Sequence, residues 1–114
     1  METEDPRSWP RLTNVEGLPL LGGYGHVRTR LREAHGVLFE IFYPAGVASP
    51  EHRHTHDSFV YLLSGRLRGT VAGKPAELEP GGCLAHPAGV LHTVEALVGS
   101  RWLEFKSPPQ DGWR

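Results

Sequence analysis

Short apolar runs alternate with polar positions along most of the chain, at the period of two that is typical of β-strands. Val27, Thr29 and Leu31 alternate with a histidine and three arginines between positions 26 and 32, which predicts a half-buried strand. Further runs predict strands over residues 37–43, 58–63, 66–71, 75–78, 83–86, 91–97 and 101–106. Eight or nine short strands, separated by turns rich in glycine and proline, favour an all-β sandwich or barrel.

The two ends of the chain differ from its middle. Residues 1–25 are polar and rich in proline and glycine, and they predict an arm packed on the domain, with room for one short strand. Residues 26–106 carry the strand pattern, and residues 107–114 are irregular. A chain of 114 residues has the size of one domain with one core.

Composition narrows the classes of function. Lysine and arginine nearly balance aspartate and glutamate, for a net charge of −1, so we expect no nucleic-acid partner. No apolar run approaches the roughly 20 residues of a membrane helix, and the N-terminus does not resemble a signal peptide. We therefore expect no membrane contact and a cytoplasmic location. The single cysteine, Cys83, leaves no intrachain disulfide and is expected to be a small buried side chain.

Seven histidines are many for this length, and three of them lie in the run from His52 to His56. Their spacing to glycines and a proline is regular. Five residues separate Gly46 from His52, one separates His52 from His54, three separate His54 from Ser58, and six separate Ser58 from Gly65. Five residues separate Gly81 from Pro87, one separates Pro87 from Gly89, and two separate Gly89 from His92.

These two segments resemble the paired signature of the cupin family. That signature reads Gly, His-x-His, an acidic residue and Gly, followed by Gly, Pro-x-Gly and His. The resemblance covers about residues 37–106. It implies a small single-domain cupin, an RmlC-like jelly-roll barrel that is also described as a double-stranded β-helix.

The resemblance also implies a metal site. On one strand His52 and His54 would point to the same face, and His92 would supply a third imidazole from across the barrel. Such ligands suit one divalent transition metal, with Zn, Fe, Ni, Mn and Cu all left open. Ser58 stands at the position of the acidic ligand, and a neutral serine is a poor ligand. We therefore expect three histidines and water in an open site, with His56 as a weaker candidate ligand.

A closer resemblance is to the small KdgF-like cupins, which ring-open unsaturated uronates using a bound metal. It rests on His52-x-His54-x-His56, on the run from Phe59 to Gly65, and on Ser107-Pro108-Pro109. Those proteins tend to carry Gln at the position of Ser58. They also tend to carry Asp, Phe and Arg at the positions of Glu104, Lys106 and Gln110, so the uronate substrate does not carry over.

Strand parity places Trp102, Glu104 and Lys106 on one face, and the resemblance turns that face toward the pocket. Glu104 is then a candidate general base with a pKa raised by an apolar wall. Lys106 is a candidate to hold a substrate carboxylate or an enolate oxygen. The alternative for both is a partly exposed ion pair at the barrel rim. His86 is left open between rim and interior.

Three functions remain in view. The leading one is a metal-dependent enzyme that acts on a small polar molecule by isomerase, cyclase or lyase chemistry. The others are a three-His iron or copper dioxygenase and a non-enzymatic small-molecule binding module. The polar stripe of His26, Arg28, Arg30 and Arg32, together with the cupin resemblance, implies a homodimer paired through N-terminal strands.

Overall fold

Two antiparallel sheets enclose the core in this computed structural model, which describes residues 4–110. A short 3-10 helix, Pro6–Ser8, precedes the strands. The strands are β1 (Arg11–Leu12), β2 (Asn14–Val15), β3 (Leu18–Pro19), β4 (Gly25–Glu33), β5 (Gly36–Tyr43), β6 (Ala48–His52), β7 (Asp57–Ser64), β8 (Leu67–Val71), β9 (Lys74–Leu78), β10 (Cys83–His86), β11 (His92–Ala96) and β12 (Ser100–Ser107).

The larger sheet has the order β1-β4-β5-β12-β7-β10, and the smaller sheet has the order β6-β11-β8-β9. A separate hairpin joins β2 to β3. This is a jelly roll, so the predicted all-β fold is confirmed. The strands predicted from periodicity agree with the structure to within about two residues. Periodicity did not predict β6, because its sequence Ala-Ser-Pro-Glu-His has no apolar alternation, and only the resemblance implied a strand that carries His52. The arm holds three short strands where one was expected.

Alternation along β12 decides what faces the core. Ser100, Trp102, Glu104 and Lys106 are buried, whereas the residues between them are half-exposed. Trp102 packs edge to face on Tyr43 of β5, with ring centroids 4.8 Å apart. Because successive side chains of a strand point to opposite faces, the same alternation that buries Trp102 also buries a carboxylate and an ammonium group.

The N-terminal segment covers the outer face of the large sheet. Strand β1 pairs with β4, and buried Trp9 lies under the guanidinium of Arg28, 4.3 Å from its ring centroid. His26 donates from Nδ1 to the Trp9 carbonyl at 3.0 Å. The polar side of β4 is therefore covered near the start of the strand. Leu31 lies on the side of β4 that was predicted to be buried, but it is 57% exposed. Residues 1–3 of the predicted arm and residues 111–114 of the predicted tail lie outside the described residues.

One expectation about burial is wrong. Cys83 is exposed rather than buried, because it lies on the outer face of the edge strand β10, paired with Tyr61 of β7.

Among residues 4–110 there is no helix of the length and apolarity that crossing a membrane requires.

Candidate metal centre

Three segments bring the histidines together. His52, the last residue of β6, is the direct cross-strand partner of His92, the first residue of β11. His54 lies beyond the end of β6, so the expectation that a continuing strand aligns it with His52 is wrong. A loop contact positions it instead, since the Gly89 N–H donates to the His54 carbonyl at 2.8 Å. The Ala88 N–H donates to the carboxylate of Asp57 at 2.8 Å, which ties the same two loops together.

The imidazoles of His52, His54 and His92 form one compact group. The Nε2 atoms of His52 and His54 are 3.2 Å apart. The ring of His92 lies 4.2 Å from that of His52 and 5.0 Å from that of His54, between centroids. One ligand atom from each residue lies within 4.8 Å of the other two, and all three side chains are buried. The structure therefore brings together the three predicted ligands.

Hydrogen bonds on the far side of each ring set the tautomers. His52 donates from Nδ1 to the Pro50 carbonyl at 2.7 Å, and His92 donates from Nδ1 to the Val90 carbonyl at 3.1 Å. His54 donates from Nδ1 to the carboxylate of Glu16 at 2.6 Å. Each Nε2 is left with a lone pair, so the contact between the Nε2 atoms of His52 and His54 joins two acceptors.

Burial and nearby positive charge keep the imidazoles of His52, His54 and His92 neutral. Burial lowers the pKa of His54 to about 2, helped by the charge of Lys106. Burial likewise lowers the pKa of His92 to about 3 and lowers the pKa of His52. Three neutral imidazoles that face one point fit a divalent transition metal, whose positive charge satisfies the converging lone pairs.

A row of polar side chains crosses the large sheet beside this group. Ser58 of β7 pairs with His86 of β10 on one side and with Lys106 of β12 on the other. Lys106 donates from Nζ to Ser58 Oγ at 2.7 Å, to Glu104 Oε2 at 2.8 Å and to His56 Nε2 at 3.0 Å. The position of the acidic cupin ligand therefore holds a hydroxyl that is hydrogen-bonded to a buried ammonium group.

Glu104 and Lys106 are 4% and 2% exposed, so the alternative of a partly exposed ion pair at the barrel rim is wrong. Glu104 also accepts from Trp102 Nε1 at 2.9 Å. Burial raises the pKa of Glu104, but the charge of Lys106, the nearby His86 and two hydrogen bonds outweigh burial and lower it. The expectation of a raised pKa is therefore wrong, because Lys106, His86 and Trp102 lie around the carboxylate and stabilise its charged form.

Two residues near the group were not assigned from the sequence. His86 is buried and stacks on His92, with ring centroids 3.8 Å apart, and its Nε2 lacks a hydrogen-bond partner among the described residues. His86 therefore lies in the interior of the barrel and not at its rim, the two positions that the sequence left open. Glu16 stands 38 residues before His54 in the sequence. No periodicity or motif marks it, so no signal in the chain pointed to it.

His56 and Glu16 form a second group with His54. One ligand atom from each lies within 4.8 Å of the others, and the rings of His54 and His56 stack with centroids 4.4 Å apart. His56 is thus not placed with the group of His52, His54 and His92, and its Nε2 faces Lys106.

The fold is a jelly-roll barrel, and three buried histidines face one another inside it. The protein is therefore a β-barrel protein with a candidate metal centre. The chain belongs to the cupin family, since the family profile described as Cupin domain matches residues 38–104.

Solved structures agree with this assignment. KdgF from Halomonas sp. has a TM-score of 0.74 at 21% identity, over 76% of this chain and 81% of that one. An RmlC-like cupin from Shewanella frigidimarina has a TM-score of 0.74 at 21% identity, over 80% and 82%. A predicted oxalate decarboxylase from Thermotoga maritima has a TM-score of 0.74 at 16% identity, over 93% and 98%. At these identities the likeness shows the fold alone. Comparison with curated proteins finds no match.

Proposed function

We propose that this cupin is a metal-dependent enzyme that acts on a small polar molecule with a carbonyl or carboxylate oxygen, by isomerase, cyclase or lyase chemistry. The observation that carries the proposal is the buried ammonium group of Lys106, 2.7 Å from Ser58 Oγ. Burying a charge is costly, and an apolar side chain would fill the same space. A buried cation next to three convergent imidazoles is suited to binding an anionic oxygen of a substrate.

The residues of the chain have distinct roles in this proposal. His52, His54 and His92 would hold the divalent ion, which when bound supplies Lewis acidity toward a substrate oxygen. Lys106 would stabilise negative charge that develops on the substrate, from a buried position inside the barrel. All three N–H groups of Lys106 donate within the protein, so a substrate oxygen would replace His56 Nε2 as one acceptor while Glu104 and Ser58 keep the ammonium group in place.

Glu104 is proposed as the base that moves a proton. In the free protein its carboxylate is a weak base, because Lys106 lowers its pKa. A substrate anion beside Lys106 would offset the ammonium charge and so raise the basicity of Glu104. Proton abstraction is thereby favoured only when substrate is bound. Trp102, which donates to Oε1 of Glu104, fixes the orientation of the carboxylate.

Proton exchange in deuterated water tests these roles. The protein is purified without a metal-binding tag, analysed for its metal, and incubated without oxygen with a panel of small oxo acids. We expect α-proton exchange by the wild type and a loss of about 100-fold in Glu104→Gln and in Lys106→Met, with metal content unchanged. Exchange that survives both substitutions would refute the roles. Turnover that begins only when oxygen is admitted to protein containing iron or copper would favour a dioxygenase, and a ligand recovered unchanged under both conditions would favour a binding module.

We also propose a homodimer, through a different face from the polar stripe. The outer side of β7 exposes Phe59, Tyr61 and Leu63, and the adjoining groove is lined without a charged side chain. A second copy of this chain is the proposed occupant, because two uncharged apolar faces can pack about a two-fold axis without like-charge repulsion. Val98 is exposed in the turn between β11 and β12, away from this groove. Light scattering at micromolar concentration should give twice the chain mass for the wild type and for the control Val98→Lys, and the chain mass for Tyr61→Lys. A monomeric wild type would contradict this.

A further inference from the structure

The hairpin of β2 and β3 places a glutamate where the backbone disfavours it. Glu16 and Gly17 form the two-residue loop of the hairpin, with φ of 50° and 78°. Two successive positive φ angles are those of a type I′ turn, where Asn, Asp or Gly is preferred at the first position. A glutamate there needs another reason than turn geometry.

The carboxylate of Glu16 reaches the three-His group. Its Oε2 accepts from Nδ1 of His54 at 2.6 Å, although the glutamate side chain is 41% exposed and the imidazole only 3%. His52 and His92 donate the corresponding hydrogen to carbonyls two residues away in their own segments. Those two bonds form as the local backbone folds. The bond of His54 forms only when the hairpin of β2 and β3 docks.

We propose that Glu16 is a positioning residue for the metal centre. Its carboxylate holds His54 in the tautomer whose Nε2 lone pair faces His52, and it increases the electron density on that nitrogen. The N-terminal segment is then part of the centre and not only a cover for the sheet. This inference rests on the proposed function, because it assumes that the three histidines bind a metal.

Two substitutions separate positioning from turn formation. Glu16→Gln keeps the length of the side chain but removes its charge. Glu16→Asn suits the turn better but is too short to reach His54 in the same way. A role in the turn alone predicts that Glu16→Asn binds metal as well as the wild type or better. The positioning role predicts that both variants bind more weakly.

Zn²⁺ titration against a chromophoric chelator at pH 7 measures the effect. We expect the Kd for Zn²⁺ to rise about 10- to 100-fold in both variants, the usual effect of losing the partner of a metal-binding histidine. Glu51→Gln is the matched control, since it removes an equal charge from an exposed residue next to His52 in the sequence. Its Kd should change less than about threefold, because an exposed charge is screened by salt.

Nitrogen-15 NMR of the metal-free protein gives an independent readout. His54 should be protonated on Nδ1 in the wild type and should show a mixture of tautomers in Glu16→Asn. Unchanged tautomer and affinity in both variants, with Zn²⁺ bound by the wild type, would overturn the positioning role alone. A second Zn²⁺ per chain that is lost in both Glu16 variants would overturn it as well, since Glu16 would then be a ligand of that ion together with His54 and His56. A wild type that binds no Zn²⁺ would refute the metal centre together with this inference.

Discussion

Single side chains in the barrel interior carry charge that the surrounding apolar residues do not compensate. Lys106 Nζ lies 2.8 Å from Glu104 Oε2 and both side chains are buried, so each charge is compensated by the other. Lys106→Met should lower the free energy of unfolding by about 3–5 kcal/mol, because it leaves a buried carboxylate without its counter-ion. The double variant Glu104→Gln/Lys106→Met should lose much less. Urea denaturation followed by tryptophan fluorescence measures both, and equal losses would contradict the argument.

Ser58 allows a second test at the same scale. Ser58→Glu restores the acidic residue of the cupin signature and should tighten Zn²⁺ binding, while slowing turnover by occupying a coordination position. The ammonium of Lys106, a hydrogen bond away from Ser58 Oγ, should compete with the ion for the new carboxylate. We therefore expect a larger gain in affinity when Lys106→Met is added. Metal titration of the single and double variants decides this, and a weaker site in Ser58→Glu/Lys106→Met would show that the position cannot supply a ligand.

At the scale of strands and turns, two glycines of the cupin signature serve different ends. Gly65 and Gly81 have nearly equal positive φ angles, 92° and 91°. A Cβ on Gly65 would lie 2.5 Å from the Gly99 carbonyl oxygen and 2.3 Å from Ser100 Oγ, whereas a Cβ on Gly81 would meet nothing within 4 Å. The backbone conformation alone requires Gly81, but close packing between two turns also requires Gly65.

The two sites therefore form a matched pair. Gly81→Ala should cost about 1–2 kcal/mol, the usual penalty of a left-handed conformation for a residue with a Cβ. Gly65→Ala should cost about 1–3 kcal/mol more, because the turn after β7 must move away from β12. Thermal or urea unfolding compares them directly. Similar losses at both sites would mean that the packing of this turn relaxes without cost.

At the scale of the whole molecule, the buried histidines link stability to pH. Burial lowers the pKa of His52, His54, His56, His86 and His92. As the pH falls below about 6.5, imidazoles of the unfolded chain take up protons while those of the folded chain do not. The contribution of these neutral imidazoles to the free energy of unfolding is therefore complete above about pH 6.5 and decreases as the pH falls below it.

The metal-free protein should thus become less stable between pH 7 and pH 5. The slope approaches about 1.4 kcal/mol per pH unit for each imidazole that stays neutral in the folded state. Urea midpoints across this range measure it, with His54→Gln as the variant in which the slope should decrease. A flat profile would mean that the unfolded and folded chains bind protons equally.

The amino-acid sequence by itself determined most of the strands and the all-β class, and its resemblance to the cupin signature implied the jelly roll and the three-His group. The strands and the all-β class follow from local information, because the period of two along a strand and the turn residues between strands do not depend on distant contacts. The spacing from Gly46 to Gly65 and from Gly81 to His92 is sufficient to indicate a cupin.

The tertiary structure alone decided the surroundings of that group. Glu16 reaches His54 because a hairpin docks from a distant segment, and the pKa of Glu104 falls because the fold buries it together with Lys106 and Trp102 of its own strand and brings His86 near them. Cys83 is exposed because it lies on the outer face of the edge strand β10. Strand periodicity states that a side chain points to one of two faces. It does not state what covers that face, and the electrostatics of a buried group depend on what covers it.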